Sequence, residues 1–252
     1  MQAMTETMTR VGYKPYEPQL TISPQAEDIW TVEGPEVQYR LAGAVIPCPT
    51  RMTVVRLNSG ALWLHSPVAH SAKLQQAIDV LGPISAIIAP NSYHYLQVDA
   101  WASANADAAV FASADVAHKV VANSTVLGSK LVADWSADLD HISIELGKFS
   151  EAVFFHRASQ SLVVTDLMQT FEASRVRSLF VRLLLQLGGA TGPNAKPSIE
   201  IRLAARKHRD ELRVGVKQMI AWNPKRVILS HGACIQNNPI DAIESAFRWL
   251  ND

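Results

Sequence analysis

Leu162-Val163-Val164-Thr165-Asp166-Leu167 and Val227-Ile228-Leu229-Ser230-His231-Gly232 decide the reading of this chain. Each is a short apolar run rich in β-branched residues, the pattern of a strand buried on both faces. Each ends on a side chain that can bind a proton or a metal, Asp166 in one case and His231 in the other. Strand ends are where a sheet stops and polar side chains converge, so both positions are candidates for a functional site.

Working outward, the same strand-then-polar arrangement recurs. Met52 to Leu57 and Leu62 to His65 flank Asn58-Ser59-Gly60, which predicts a hairpin, and its second strand stops at His65-Ser66-Pro67. Ile84 to Ala89 predicts a buried strand that ends at Pro90-Asn91 and releases the chain towards His94. Val110 to Ala112 is a further short strand, and Ser113 with Asp115 offers an N-cap to a helix carrying His118. Ile142 to Leu146, Ala152 to Phe155 and Leu162 to Thr165 follow, the last two joined in a hairpin-like way through His156. Before all of these, Ile29 to Val32 reads as one weak strand cut short by Glu33-Gly34-Pro35.

Helical spacing marks four segments. Leu74, Ile78 and Leu81 share one side of 72–81, which Gly82-Pro83 terminates. A helix is expected around Phe171 to Leu187, broken by Gly188-Gly189 and Gly192-Pro193, and Leu212, Val216, Met219 and Ile220 line the next. Asn238 as cap and Pro239 at the first position begin the last, with Ile240, Ile243, Phe247 and Leu250 on one side. The run Leu179 to Leu187 is more apolar than one buried face requires, so Phe171 to Pro197 is expected to cover the site as a lid, to form a dimer contact, or to pack on the sheet.

Composition bounds the function. The 252 residues, 48% hydrophobic and 18% charged, suit a folded α/β protein, and 30–252 is expected to form one domain after an extension at 1–29. Net charge is 0, so no overall field draws the molecule to nucleic acid or an anionic membrane. Basic residues are nevertheless concentrated: 172–226 holds 12 of the 23 Lys and Arg but only 4 of the 23 Asp and Glu. Two cysteines, Cys48 and Cys234, do not make a disulfide framework or a Cys-rich zinc site, and Met1 to Arg10 lacks the apolar core of an export signal. The expected compartment is the cytoplasm. No Gly-x-Ser-x-Gly elbow occurs, and 188–193 has neither the Lys-Ser/Thr of a phosphate loop nor a dinucleotide glycine pattern.

In the order of these elements from about Trp30 to Leu250, the chain resembles the metallo-β-lactamase-fold superfamily. Val163 to Leu167 resembles its strand-then-Asp segment and Val227 to Gly232 its final strand-then-His-Gly. Pro49 to Val54, Leu62 to Pro67 and Ala89 to Asn91 are similar to an uncharacterised branch of it, known only as a domain of unknown function. The resemblance implies a four-layer αββα sandwich, with the Asp bridging two metals and the last His binding one of them. Two parts of that signature differ here. His-x-His-x-Asp-His is replaced by Asn91-Ser92-Tyr93-His94-Tyr95-Leu96, with His94 at a spacer position, and the middle His gives way to Lys148 to Glu151. One divalent metal, zinc or iron, on His94, Asp166 and His231 is the implied remnant, with His65 as fourth ligand or as hydrogen-bond donor to a ligand. Its counterpart is a fold that has lost its metal, keeps Asp166 and His231 as a hydrogen-bonded pair, and binds a small ligand or partner. The fold hosts esters, thioesters, phosphodiesters and redox chemistry, and does not select among them.

Overall fold

Apolar and β-branched residues fill most strands of the computed structural model, which describes residues 12–41, 44–128, 133–192 and 195–251. The Met1 to Arg10 stretch and Pro193 lie outside the described residues. One sheet holds β1 (Ile22–Ala26), β2 (Ile29–Leu41), β3 (Ala44–Arg56), β4 (Leu62–His65), β5 (Ile84–Ala89), β6 (Ala109–Ala112) and β7 (Ser124–Val126), side by side in chain order. The other is built from β8 (Leu139–Leu146), β9 (Phe149–His156), β10 (Ser161–Val164) and β11 (Arg226–Leu229), in the spatial order β11-β10-β9-β8. The helices are α1 (Ala72–Asp79), α2 (Val98–Ala104), α3 (Leu179–Leu187), α4 (Ile199–Ala204), α5 (Arg209–Ala221) and α6 (Pro239–Phe247).

Side chains alternate across a strand, so a strand buried on both faces divides its residues between two cores. In β4, Trp63 faces inward while Leu62 and Leu64 face α1 and α2, where Leu74, Ile78 and Trp101 receive them. In the second sheet, Val163 and Ile228 meet Trp63 and Ile88 of the first between the sheets. Leu162, Val164, Val227 and Leu229 turn outward against Leu212 and Met219 of α5 and Ile243 and Phe247 of α6. Three cores between four layers make the αββα sandwich that the resemblance implies. Trp63, Trp101, Trp135 and Phe154 are fully buried. Each such side chain removes about 150–250 Å² from water, an upper bound of about 4–6 kcal/mol before entropy is counted.

Where strands run parallel, the connection must cross a face of the sheet. β4 and β5 are parallel and joined through α1, β5 and β6 through α2, and β10 and β11 through the excursion carrying α3, α4 and α5. Parallel pairing puts the carboxyl ends of β4 and β5, and of β10 and β11, at common edges, and those ends carry the candidate residues.

The structure corrects several expectations. β2 does not stop at Gly34-Pro35: the pairing with β3 slips between Gly34 and Val37, a bulge that absorbs the proline. A Cβ on Gly34 would lie 2.3 Å from Thr50 Oγ1, so glycine there lets β3 approach. Residues 22–26, within the stretch expected as an extension, pair antiparallel with β2. His118 sits on a single 3-10 turn, because Asp115 accepts from Ser92 N, Ser150 N and Ser150 Oγ instead of capping a longer helix. The helix expected from Phe171 begins only at Leu179, after Phe171 N has bonded Ala190 O. Asn238 precedes α6 with φ +48 and makes no side-chain cap.

Candidate metal centre

His94, Asp166 and His231 are all buried, and each places a ligand atom within 4.8 Å of the others. His94 Nε2 lies 3.1 Å from His231 Nε2 and 3.1 Å from Asp166 Oδ2, and His231 Nε2 lies 3.5 Å from Asp166 Oδ1. Donors bound to one ion at about 2.0–2.2 Å and tetrahedral angles sit about 3.3–3.6 Å apart, and these spacings lie within about 0.2 Å of that range. Two imidazoles and a carboxylate are also a donor set suited to zinc or iron, with a position left open.

The fold fixes which atoms face the centre. His231 Nδ1 lies 2.9 Å from Pro49 O, and a carbonyl can only accept, so Nδ1 carries a proton and Nε2 is the ring atom turned to the centre. The ring stacks on Phe171, centroids 5.4 Å apart. After it, Gly232 takes φ +98, and a Cβ there would meet Thr170 O and Oγ1 at 2.0 Å, which explains the His-Gly pair in steric terms. The same loop is tied down by buried Arg51, which donates to Gly232 O at 2.6 Å and to Leu229 O while pairing with Glu33.

Asp166 is positioned from below by Glu151, an acidic residue on the buried strand β9. Glu151 accepts from the backbone N–H groups of Thr165, Asp166 and Leu167 at 2.7, 2.9 and 3.0 Å, which sets the turn leaving β10. Asn91 joins the two sheets: its Nδ2 donates to Asp166 Oδ2 at 2.8 Å and Thr165 Oγ1 at 2.9 Å, and its Oδ1 accepts from Tyr93 N and His94 N. His94 Nδ1 meets Ser66 Oγ at 2.6 Å, where Ser66 holds the left-handed φ of +53.

Charges within this network diverge. Burial alone would raise Asp166, but His94 and His231 outweigh it and hold the carboxyl below its ordinary value. Burial and the Asp166 charge push Glu151 up to about 7 against its backbone donors. His65 is pushed down to about 3 by burial and by His94, so it is neutral near pH 7.

His65 does not join the group of three. Alternation along β4 puts it on the face of Trp63, stacked on that indole at 5.3 Å and edge-on to Phe154, with neither ring nitrogen hydrogen-bonded. Cys234 is likewise outside the group and lies 3.5 Å from Arg51 Nη1. Ser66, Asn91, Glu151 and Arg51 are residues that the sequence reading missed as parts of the site. A carboxylate on an apolar strand was the available signal for Glu151; nothing local marks Ser66.

Above the centre lies a cavity of about 350 Å³ into which His94, Asp166 and His231 open. The β2–β3 ribbon contributes Tyr39 and Ile46, and Phe171, with Leu184 and Leu185 of α3, closes it on another side. The α3 segment therefore covers the site, while Leu179, Phe180, Leu183 and Leu187 on its outer face are exposed.

Among solved structures, TMB-1 is similar over 93% of this chain and 100% of its own, with TM-score 0.60 and 12% identity. The metallo-β-lactamase FIM-1 from Pseudomonas aeruginosa in a mono-zinc form covers 95% and 100%, with TM-score 0.58 and 10% identity. The Flv1 flavodiiron core from Synechocystis sp. PCC6803, metal-soaked, covers 95% of this chain and 62% of its own, with TM-score 0.62 and 12% identity. The fold is that of the metallo-β-lactamases. A search of curated proteins finds no match. A family profile described as Domain of unknown function (DUF4336) matches residues 26–182.

Proposed function

This chain belongs to the family described as Domain of unknown function (DUF4336), so its function has to be read from its own residues, and we propose a metal-dependent, hydrolase-like protein with one divalent ion, zinc or iron. His94, Asp166 and His231 hold the ion. The observation that carries this reading is that His94 Nε2 lies 3.1 Å from His231 Nε2 and 3.1 Å from Asp166 Oδ2, with His231 Nε2 3.5 Å from Asp166 Oδ1, at the floor of a cavity. An ion held there would supply Lewis acidity, the chemistry that lowers the pKa of a bound water and polarises a carbonyl. The chain's own residues orient and insulate. Pro49 O fixes the His231 tautomer, Asn91 and Glu151 hold the Asp166 carboxylate, and Phe171 shields one face of the His231 ring from water. One ion rather than two is favoured by Asn91 and Tyr93 standing where the two-metal signature has histidines, and by His65 lying outside the group of three.

A second reading, a non-catalytic member of the fold that binds a small ligand, is favoured by one observation. Without an ion the polar atoms still close a chain, with Ser66 Oγ donating to His94 Nδ1 and His94 Nε2 donating to Asp166 or His231. Metal content separates the two. Protein purified without a metal-affinity tag is expected to carry near-stoichiometric zinc or iron by elemental analysis, and Asp166→Ala and His231→Ala are each expected to abolish it. Wild-type protein that is metal-free and takes up neither zinc, iron nor manganese leaves the binding reading in place.

A further inference from the structure

We infer that the cavity takes an uncharged acyl compound, an ester or amide with an alkyl chain, and discriminates against anionic ligands; this rests on the reading of His94, Asp166 and His231 as the reacting floor. Ile46, Phe171, Leu184, Leu185, Ile199 and Ile201 form its apolar wall. Among the described lining residues there is no Lys or Arg, and the carboxylates present are Asp166 and Glu200. That absence is notable because the segment supplying α3 and α4 is the most basic in the chain. Cations of the same helices are engaged elsewhere: Arg182 donates to Val176 O at 2.9 Å and Arg202 to Gly188 O at 3.2 Å, while Leu184, Leu185, Ile199 and Ile201 line the cavity. A phosphate or carboxylate in the apolar part would be desolvated without a counter-charge and placed near two carboxylates, which disfavours it. Glu200 accepts from the Tyr39 hydroxyl at 3.2 Å, so its charge is already engaged rather than held out for an ammonium group. Size agrees: about 350 Å³ is at the small end of the range for small-molecule pockets.

Binding to the chelator-treated full chain isolates the cavity from any ion, and isothermal titration calorimetry reads it directly. N-octylacetamide, an uncharged analogue of an ester, is compared with decanoate, octyl phosphate and octyltrimethylammonium, all of matched size. The amide is expected to bind about tenfold or more tightly than either anion and more tightly than the ammonium probe. Leu184→Arg, at a half-buried wall position, is expected to reverse the preference between amide and decanoate. Equal or tighter binding of either anion or of the ammonium probe by wild type, or no binding of the amide, overturns the assignment. So does a Leu184→Arg variant with unchanged preference. Metal analysis on the same preparations keeps the two readings apart: bound metal with no preference for the amide removes only the substrate class, and amide preference without metal removes only the hydrolase reading.

Discussion

The two sheets hold their shares of the centre in different ways. The loops after β10 and β11 present Asp166 and His231 on backbone that the surrounding structure specifies several times over: Glu151 accepts consecutive amides, Arg51 clasps two carbonyls, and Gly232 fits against Thr170 where no Cβ can. The loops after β4 and β5 hold their polar residues through side chains. Ser66 meets one His94 nitrogen, Asn91 spans to Asp166, and His65 is sealed against Trp63 without a partner. The comparison teaches that one side fixes its polar residues through the backbone, while the other fixes them through side-chain hydrogen bonds and apolar packing.

The largest effect is expected on the second-sheet side. Gly232→Ala combines a positive φ with a clash against Thr170, so a loss of about 3–5 kcal/mol in urea unfolding is expected; a loss under about 1 kcal/mol would show that this loop is not specified by its backbone. On the first-sheet side, His65 offers a smaller and pH-dependent effect. Its folded pKa of about 3 lies below the ordinary 6.5, so the unfolded chain takes up a proton first. Its contribution is complete above pH 6.5 and is lost as pH falls, by about 2 kcal/mol between pH 6.5 and pH 5. His65→Leu is expected to remove that acid limb relative to wild type and to change stability near pH 7 by no more than about 1 kcal/mol, since it breaks no hydrogen bond. An unchanged acid limb would place the titration elsewhere. The smallest effect belongs to Ser66→Ala, which frees His94 Nδ1: metal affinity measured by chelator competition is expected to fall about 10–100-fold with little change in folding stability. Undiminished affinity would mean that the first sheet positions His94 by packing alone.

Much of the scaffold was legible because it follows from periodicity. Ile84–Ala89 reads as a strand from its apolar run, and Asp166 and His231 stand out because they end such runs. What was not legible depends on partners distant in sequence. Gly34-Pro35 reads as a break until β3 is present to pair around the bulge, and His94 in a Tyr-rich loop gives no sign that Ser66 lies 2.6 Å away. His65 was the misleading residue: ending a strand suggests reach towards a site, but counting alternation from Trp63 places it between the sheets. Glu151 was passed over as an occupant of a lost ligand's place, and its role emerged only from the three amides that it accepts.

The parallel pairing of β10 with β11 has a consequence for how this architecture diversifies. Ser161 faces Arg226 and Val164 faces Leu229, so the whole intervening excursion leaves and rejoins the sheet at neighbouring points. Closing a longer or shorter loop between fixed ends changes the entropy only as the logarithm of its length. The roof of the cavity, with α3 and α4, is thus joined to the sheet at two neighbouring points, as a replaceable insert would be. Lineages or engineers can replace it to alter what enters while the floor of His94, Asp166 and His231 is left as it stands.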